Sequence, residues 1–154
     1  MKPNELVEQI GIEFDSIQLT VDELNSLYRD IAVREPTVRE LAAAGTFLAN
    51  FYNGIENILK RICRFHDVEI PAGGDWHVEL VKSFCDPPRN GLPLLLHAEL
   101  AEELAPYRQF RHVVHHSYGF RLRWPDMLPG VEGADRLFSE FRSGVVTYVT
   151  KLQS

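Results

Sequence analysis

Apolar residues at Leu6, Ile10, Phe14, Ile17, Val21, Leu24, Tyr28 and Ile31 recur in steps of four, four, three, four, three, four and three. That period fits one face of an α-helix, and a helix with such a stripe has to bury it against a partner. A second helix is predicted from about Thr37, where Pro36 and the capping box Thr37-Val-Arg-Glu40 supply start signals, with Leu41, Ala44, Leu48, Phe51, Ile55, Leu59 and Ile62 as its stripe, to about His66. Pro71, Gly73 and Gly74 then mark a turn, and Asp75 is placed to cap a short helix reaching about Phe84. A further helix is predicted from about Pro93 to Arg121, bent or split at Pro106, which lacks an N–H and clashes with the preceding turn. Trp124-Pro125 and Pro129-Gly130 read as breaks before a last helix with Ala134, Phe138, Phe141, Val145, Tyr148 and Leu152 along one side. No stretch alternates like a strand. About five helices with short connections predict an all-α, up-and-down antiparallel bundle, and 154 residues at 45% apolar suit a single domain spanning 1–154.

The composition narrows the function as well. No apolar run approaches the length of a membrane span and the first residues lack the apolar core of a signal peptide, so the expected location is cytoplasmic, with no membrane partner. Cys63 and Cys85 are too few and too far apart for a disulfide framework or a zinc site and read as ordinary thiols. A net charge of −6 argues against a general nucleic-acid coat protein. The charge is unevenly spread, however. Between Tyr107 and Pro125 stand four arginines (Arg108, Arg111, Arg121, Arg123), three histidines (His112, His115, His116) and none of the 22 acidic residues. A basic strip on an acidic body suits a site that meets phosphate, although a solvated helix face has the same pattern.

Within the strip the order is Arg111-His-Val-Val-His-His116-Ser-Tyr118. A histidine, titrating near neutrality, can move the proton of a ribose 2′-hydroxyl, and an arginine, always charged, can grip two phosphate oxygens. Arg111 and His116 together therefore form a candidate metal-free pair for cleaving RNA, with no cofactor. Their plainer reading is as cations near a helix C-terminus, and Tyr118 can equally be a packed aromatic. His112 and His116 also have the i, i+4 spacing of a two-histidine metal pair, but Glu99, Glu102 and Glu103 precede Pro106 and nothing in the sequence brings them round, so no metal site is assigned. Arg108, His115, Arg121 and Arg123 are candidates for RNA-backbone contacts. Trp76 and Trp124 read as packing anchors more readily than as base-stacking platforms, and Glu56 and Asn57 on the second helix are placed to support the motif from behind. On an ideal helix Arg111 and His116 stand about 140° apart, at roughly 100° per residue. Either the helix distorts near Gly119, or two copies of the motif meet across a symmetric dimer.

Arg, four residues, His, one residue and Tyr, with a polar residue (His112) after the Arg, resembles the signature of HepT-like toxins of the HEPN superfamily. The earlier segment Phe51-Tyr-Asn-Gly-Ile-Glu-Asn-Ile-Leu-Lys60 looks like the helix those domains pack beside their motif, and the five-helix order covers nearly the whole chain. The resemblance implies a metal-independent endoribonuclease, the toxin of a type VII-like toxin–antitoxin pair, with Arg111 and His116 catalytic, His112 supporting the motif and a composite cleft in a homodimer. It also implies a nucleotidyltransferase (MntA-like) antitoxin that attaches AMP to Tyr118 and silences the toxin. A catalytically silent HEPN-type binding or dimerisation module beside a nucleotidyltransferase is the alternative.

Overall fold

The structure is a computed structural model and describes residues 1–116 and 122–154. Five helices form among these residues, namely α1 (Pro3–Ile31), α2 (Val38–Phe65), α3 (Trp76–Lys82), α4 (Ala98–His116) and α5 (Trp124–Gln153), and no strand. The fold is all-α, as the periodicity predicts.

Helix α2 is the axis. It touches all four other helices and is buried far beyond its predicted stripe, at Ala49, Tyr52, Gly54, Glu56, Ile58 and Cys63 as well. Both of its ends are fixed by local chemistry. At the start, Thr37 and Glu40 form the reciprocal capping box, the Glu40 side chain accepting from the Thr37 N–H at 2.9 Å and the Glu40 N–H donating to the Thr37 hydroxyl at 3.2 Å. Arg34 adds a bidentate ion pair that holds the Glu40 carboxyl down to about 2. At the other end Asp67 takes a left-handed conformation (φ 55°), letting the Val68 N–H reach the Cys63 carbonyl at 2.9 Å and close the helix without a glycine.

Helices α1 and α4 each run antiparallel to α2 and to α5, while α2 and α5 run parallel. Arg61, late in α2, pairs with Glu13 on α1 at 2.9 Å, while Gly54 meets Ile17. Phe51 packs on Tyr107 of α4, and Gly45 faces Val114. Helix α5 lies against α1 in the opposite sense, with Phe138 edge-on to Phe14 and Gln153 donating to Asn4. The Tyr107 hydroxyl ties α4 to α5 by donating to the Gly130 carbonyl at 2.6 Å. One continuous core joins Leu6, Ile55, Leu80, Leu100 and Phe141. Trp76 and Trp124 both pack against it, as anchors should.

Several sequence expectations are corrected. Helix α4 begins at Ala98 instead of Pro93, because the His97 ring nitrogen accepts the Leu100 N–H at 3.2 Å and caps it, while Leu95 and Leu96 are held outside the helix by bonds to the Phe84 carbonyl. Pro106 does not split α4: Pro106 and Glu102, whose carbonyl loses its helical donor, are both exposed, so water can serve that carbonyl. The stretch expected to carry the helix on to Arg121 lies outside the described residues. Pro129-Gly130 does not break the chain either, since α5 runs through it from Trp124, and the carbonyl left without a donor is that of exposed Pro125 in the first turn. Asp75 precedes α3 but makes no side-chain cap. Tyr28 is 41% exposed although it falls on the buried stripe of α1. It stands beside Ile31 and Trp124 at the rim of a shallow groove, with the ring partly covered and one edge in water. No helix among the described residues is long and apolar enough to cross a membrane. Cys63 and Cys85 are unbridged, and burial raises both thiols, Cys63 to about 11.

Two expectations follow from the packing. A Cβ added at Gly54 would stand 2.5 Å from Cγ1 of buried, β-branched Ile17, which has little freedom to turn away. Gly54→Ala should therefore cost about 1–3 kcal/mol despite alanine's better helix propensity, and urea denaturation with an unchanged midpoint would refute this. Near the end of α2, His66 shares a 2.5 Å hydrogen bond with Tyr148 of α5. Burial lowers the His66 pKa and raises the Tyr148 hydroxyl to about 12. The folded chain thus takes up the His66 proton less readily than the unfolded chain, so this stability is present above roughly pH 6.5 and lost as pH falls through the lower folded value. Thermal melts at pH 7 and 5 should show a larger drop in Tm for the native chain than for His66→Gln.

Candidate functional site

The first part of the basic strip, Tyr107 to His116, forms the second half of α4, where the helix is only half covered. Phe110 and Val114 turn inward and Tyr107 is buried, while His112, His115 and His116 are exposed. Arg111 lies between these faces, and its guanidinium is fixed at two points. Its Nε–H donates to the Asn53 side-chain oxygen at 2.5 Å, and one Nη1 N–H points at Nε2 of His77 at 3.2 Å. His77 in turn meets the Glu56 carboxylate through Nδ1 at 2.5 Å. Glu56 is 1% exposed, one of the few charged or polar residues in the core. A buried carboxylate is costly without partners, and His77 is the partner that reaches it.

Three helices build this chain of contacts. Asn53 and Glu56 lie three apart on one face of α2, the spacing at which side chains are neighbours; His77 comes from α3 and Arg111 from α4. Asn57, expected beside Glu56, instead faces α1 and donates to Glu13 at 3.4 Å, one position further round the helix being enough to change the partner. Glu56 does back the motif, acting through His77. Around the imidazole, Trp76 lies 3.5 Å away between ring centroids and is itself covered by the Lys60 ammonium at 4.3 Å. Tyr52 closes the floor, and burial together with the Glu56 charge pushes its hydroxyl pKa upward, so that hydroxyl keeps its proton.

His77 and Arg111 meet across a cleft of about 540 Å³ between the Gly74–Val78 segment and α4, lined also by Arg108 and His112. Among the described residues, two of the five N–H groups of the Arg111 guanidinium are engaged, and the group lines the open cleft. Arg108 adds a second positive charge to the same cleft. His112 stands at its edge, and the exposed His116 ring lies against the His112 ring at 4.4 Å between centroids.

Arg111 and His116 are thus not drawn onto one face by any distortion of α4 up to His116. Arg111 is held toward α2 and α3, while His116 faces outward. Of the backbone-contact candidates, Arg108 enters the cleft, whereas His115 and Arg123 are exposed and Arg123 immediately precedes α5. Tyr118 and Arg121 lie outside the described residues. No cluster of three His, Cys, Asp or Glu side chains suited to a metal occurs among the described residues; Glu103 pairs with Arg136 on the α5 side of α4. The sequence reading missed Asn53, and it missed His77. Its only signal is position, as the residue after the Trp that begins α3, and nothing in the spacing predicts that it meets a helix 34 residues away.

Among known proteins, neither the curated proteins nor the solved structures yield a match. A family model described as HepT-like protein matches residues 43–152, which takes in all of α3 and α4 and most of α2 and α5. With most of the chain matched, including both walls of the cleft and the helix that supports them, the protein belongs to the HepT-like family, HEPN-type proteins of toxin–antitoxin modules.

Proposed function

We propose that this chain, acting as a single domain, is a metal-independent endoribonuclease, the toxin of a type VII-like pair, and that Arg111 and His116 are its catalytic residues. The observation that carries the reading is the Arg111 guanidinium, held at two points on an open cleft, in a protein of the HepT-like family. In the reaction His116 removes the proton from a ribose 2′-hydroxyl. The oxygen attacks the adjacent phosphorus, the bond to the 5′-oxygen breaks, and that oxygen takes up a proton, leaving a 2′,3′-cyclic phosphate and a 5′-hydroxyl. Arg111 holds the charge that gathers on the phosphoryl oxygens. His112 supports the motif at the cleft edge, and Arg108, His115, Arg121 and Arg123 hold the RNA backbone without reading its sequence.

Because Arg111 and His116 face different ways on α4, one subunit does not complete the site. A homodimer in which the same surface serves both copies brings the His116 of one to the Arg111 of the other. Silencing is by a nucleotidyltransferase (MntA-like) antitoxin that adds AMP to Tyr118, placing bulk and negative charge where the RNA phosphate would bind. The toxin and its antitoxin work in the cytoplasm. The outward position of His116 in the single chain is also what a silent dimerisation module would have, and cleavage separates the two.

Purified protein should cut total RNA in EDTA as a dimer by light scattering, and His116→Ala should lower the rate by about 10²- to 10⁴-fold. An unmodified dimer that cuts nothing favours the silent module, and cleavage abolished by EDTA and restored by a divalent metal favours the His112/His116 pair as a metal site. Intact-mass measurement of protein produced with and without a nucleotidyltransferase partner should show one or more added AMP units that map to Tyr118. An unchanged mass beside an active partner would defeat the silencing mechanism while leaving the nuclease untouched.

A further inference from the structure

We propose that His77 and Glu56 are positioning residues that lock the Arg111 guanidinium in the orientation in which it receives an RNA phosphate. This rests on the proposed nuclease reading for its substrate and on geometry for everything else. A guanidinium has only donors. At 3.2 Å from Arg111 Nη1, Nε2 of His77 must therefore be the acceptor and carry no proton. The imidazole proton then lies on Nδ1, where it donates to the Glu56 carboxylate at 2.5 Å. Glu56 is 1% exposed and cannot turn to water, so it fixes the tautomer, and the tautomer fixes Arg111.

Asn53 supplies the second point of attachment, to Nε. Two attachments on different nitrogens define the plane of a planar group, which one alone would leave free to swing. The guanidinium so held lines the cleft that Arg108 and His112 share, and its other N–H groups have no partner among the described residues. Trp76, stacked on His77 and covered by Lys60, stops the imidazole from rotating out. The arrangement thus pre-orients the cation before RNA arrives, removing a freedom that binding would otherwise have to freeze.

Long-range ¹H–¹⁵N spectra of the full-length protein at neutral pH test the first link without reference to activity. His77 should appear as the Nδ1–H tautomer, and an Nε2–H tautomer overturns the proposal. The second link is read in cleavage kinetics. His77→Phe keeps the ring volume and removes both polar atoms; it should lower kcat on the order of 100-fold with a smaller change in KM. His77→Gln, with an amide oxygen for Arg111 and an N–H for Glu56, should recover most of that loss. Equal loss in both variants, or none in His77→Phe at a Tm close to the native value, refutes the positioning role. If the native protein cuts no RNA, the nuclease reading fails on its own, and the same variants are compared by anisotropy for binding a labelled single-stranded RNA. There His77→Phe should weaken binding and His77→Gln retain it, and indistinguishable affinities overturn the lock.

Discussion

Helix α2 packs against every other helix and leaves only a narrow stripe through Arg39, Thr46, Asn50, Asn57 and Arg64 exposed, and the rest of the molecule follows from that. A polar group on the covered part of such a helix has to be satisfied within the protein, because water cannot reach it. Its ends are closed by the Thr37–Glu40 box and by the turn at Asp67. Its one deeply buried charge, Glu56, is answered by a side chain from α3. Where a side chain would obstruct contact, α2 carries glycine, at Gly45 against Val114 and at Gly54 against Ile17. The close approach of α1 and the anchoring of α4 are both consequences of this central helix.

The same constraint explains why a short, peripheral helix matters. With seven residues, α3 adds little to the core beyond Leu80. Its contribution is His77, which joins the buried carboxylate to the cation on α4. An acid in the core, an imidazole and an arginine at the cleft form a graded path from the dry interior to the solvent. Each member satisfies the one beneath it and leaves the next oriented. Truncating an inner member therefore disturbs the outer one as well as local stability.

Much of the fold was legible because helical periodicity depends only on burial. The stripes of α1 and α2 became the core nearly residue for residue, and the capping box placed the start of α2 correctly. The misreadings share a cause. Pro106, Pro129 and Pro93 were judged by what proline does to an isolated helix, whereas exposed carbonyls absorb the first two and a histidine cap displaces the helix start from the third. For the site, Arg111 and His116 stand out by their spacing in the sequence, and Glu56, which the sequence places behind them, reaches Arg111 through His77. Asn53 and His77 could not be found in this way, because their roles exist only once α2, α3 and α4 are packed together. A single step round α2 separates Asn57, which faces α1, from Glu56, which serves the motif.

Antiparallel packing also sorts the molecule end to end. Asn4 and Gln153 touch at one end, close to the His66–Tyr148 contact. The turn after Ile31, the start of α5 and the last turn of α4 gather at the other, where Trp124 meets Tyr28 and Val114 meets Gly45. Both chain termini are thus separated by the length of the bundle from His116. A fluorophore, an affinity handle or a neighbouring domain joined at either terminus would sit on the far pole, leaving the basic end clear to meet whatever docks there.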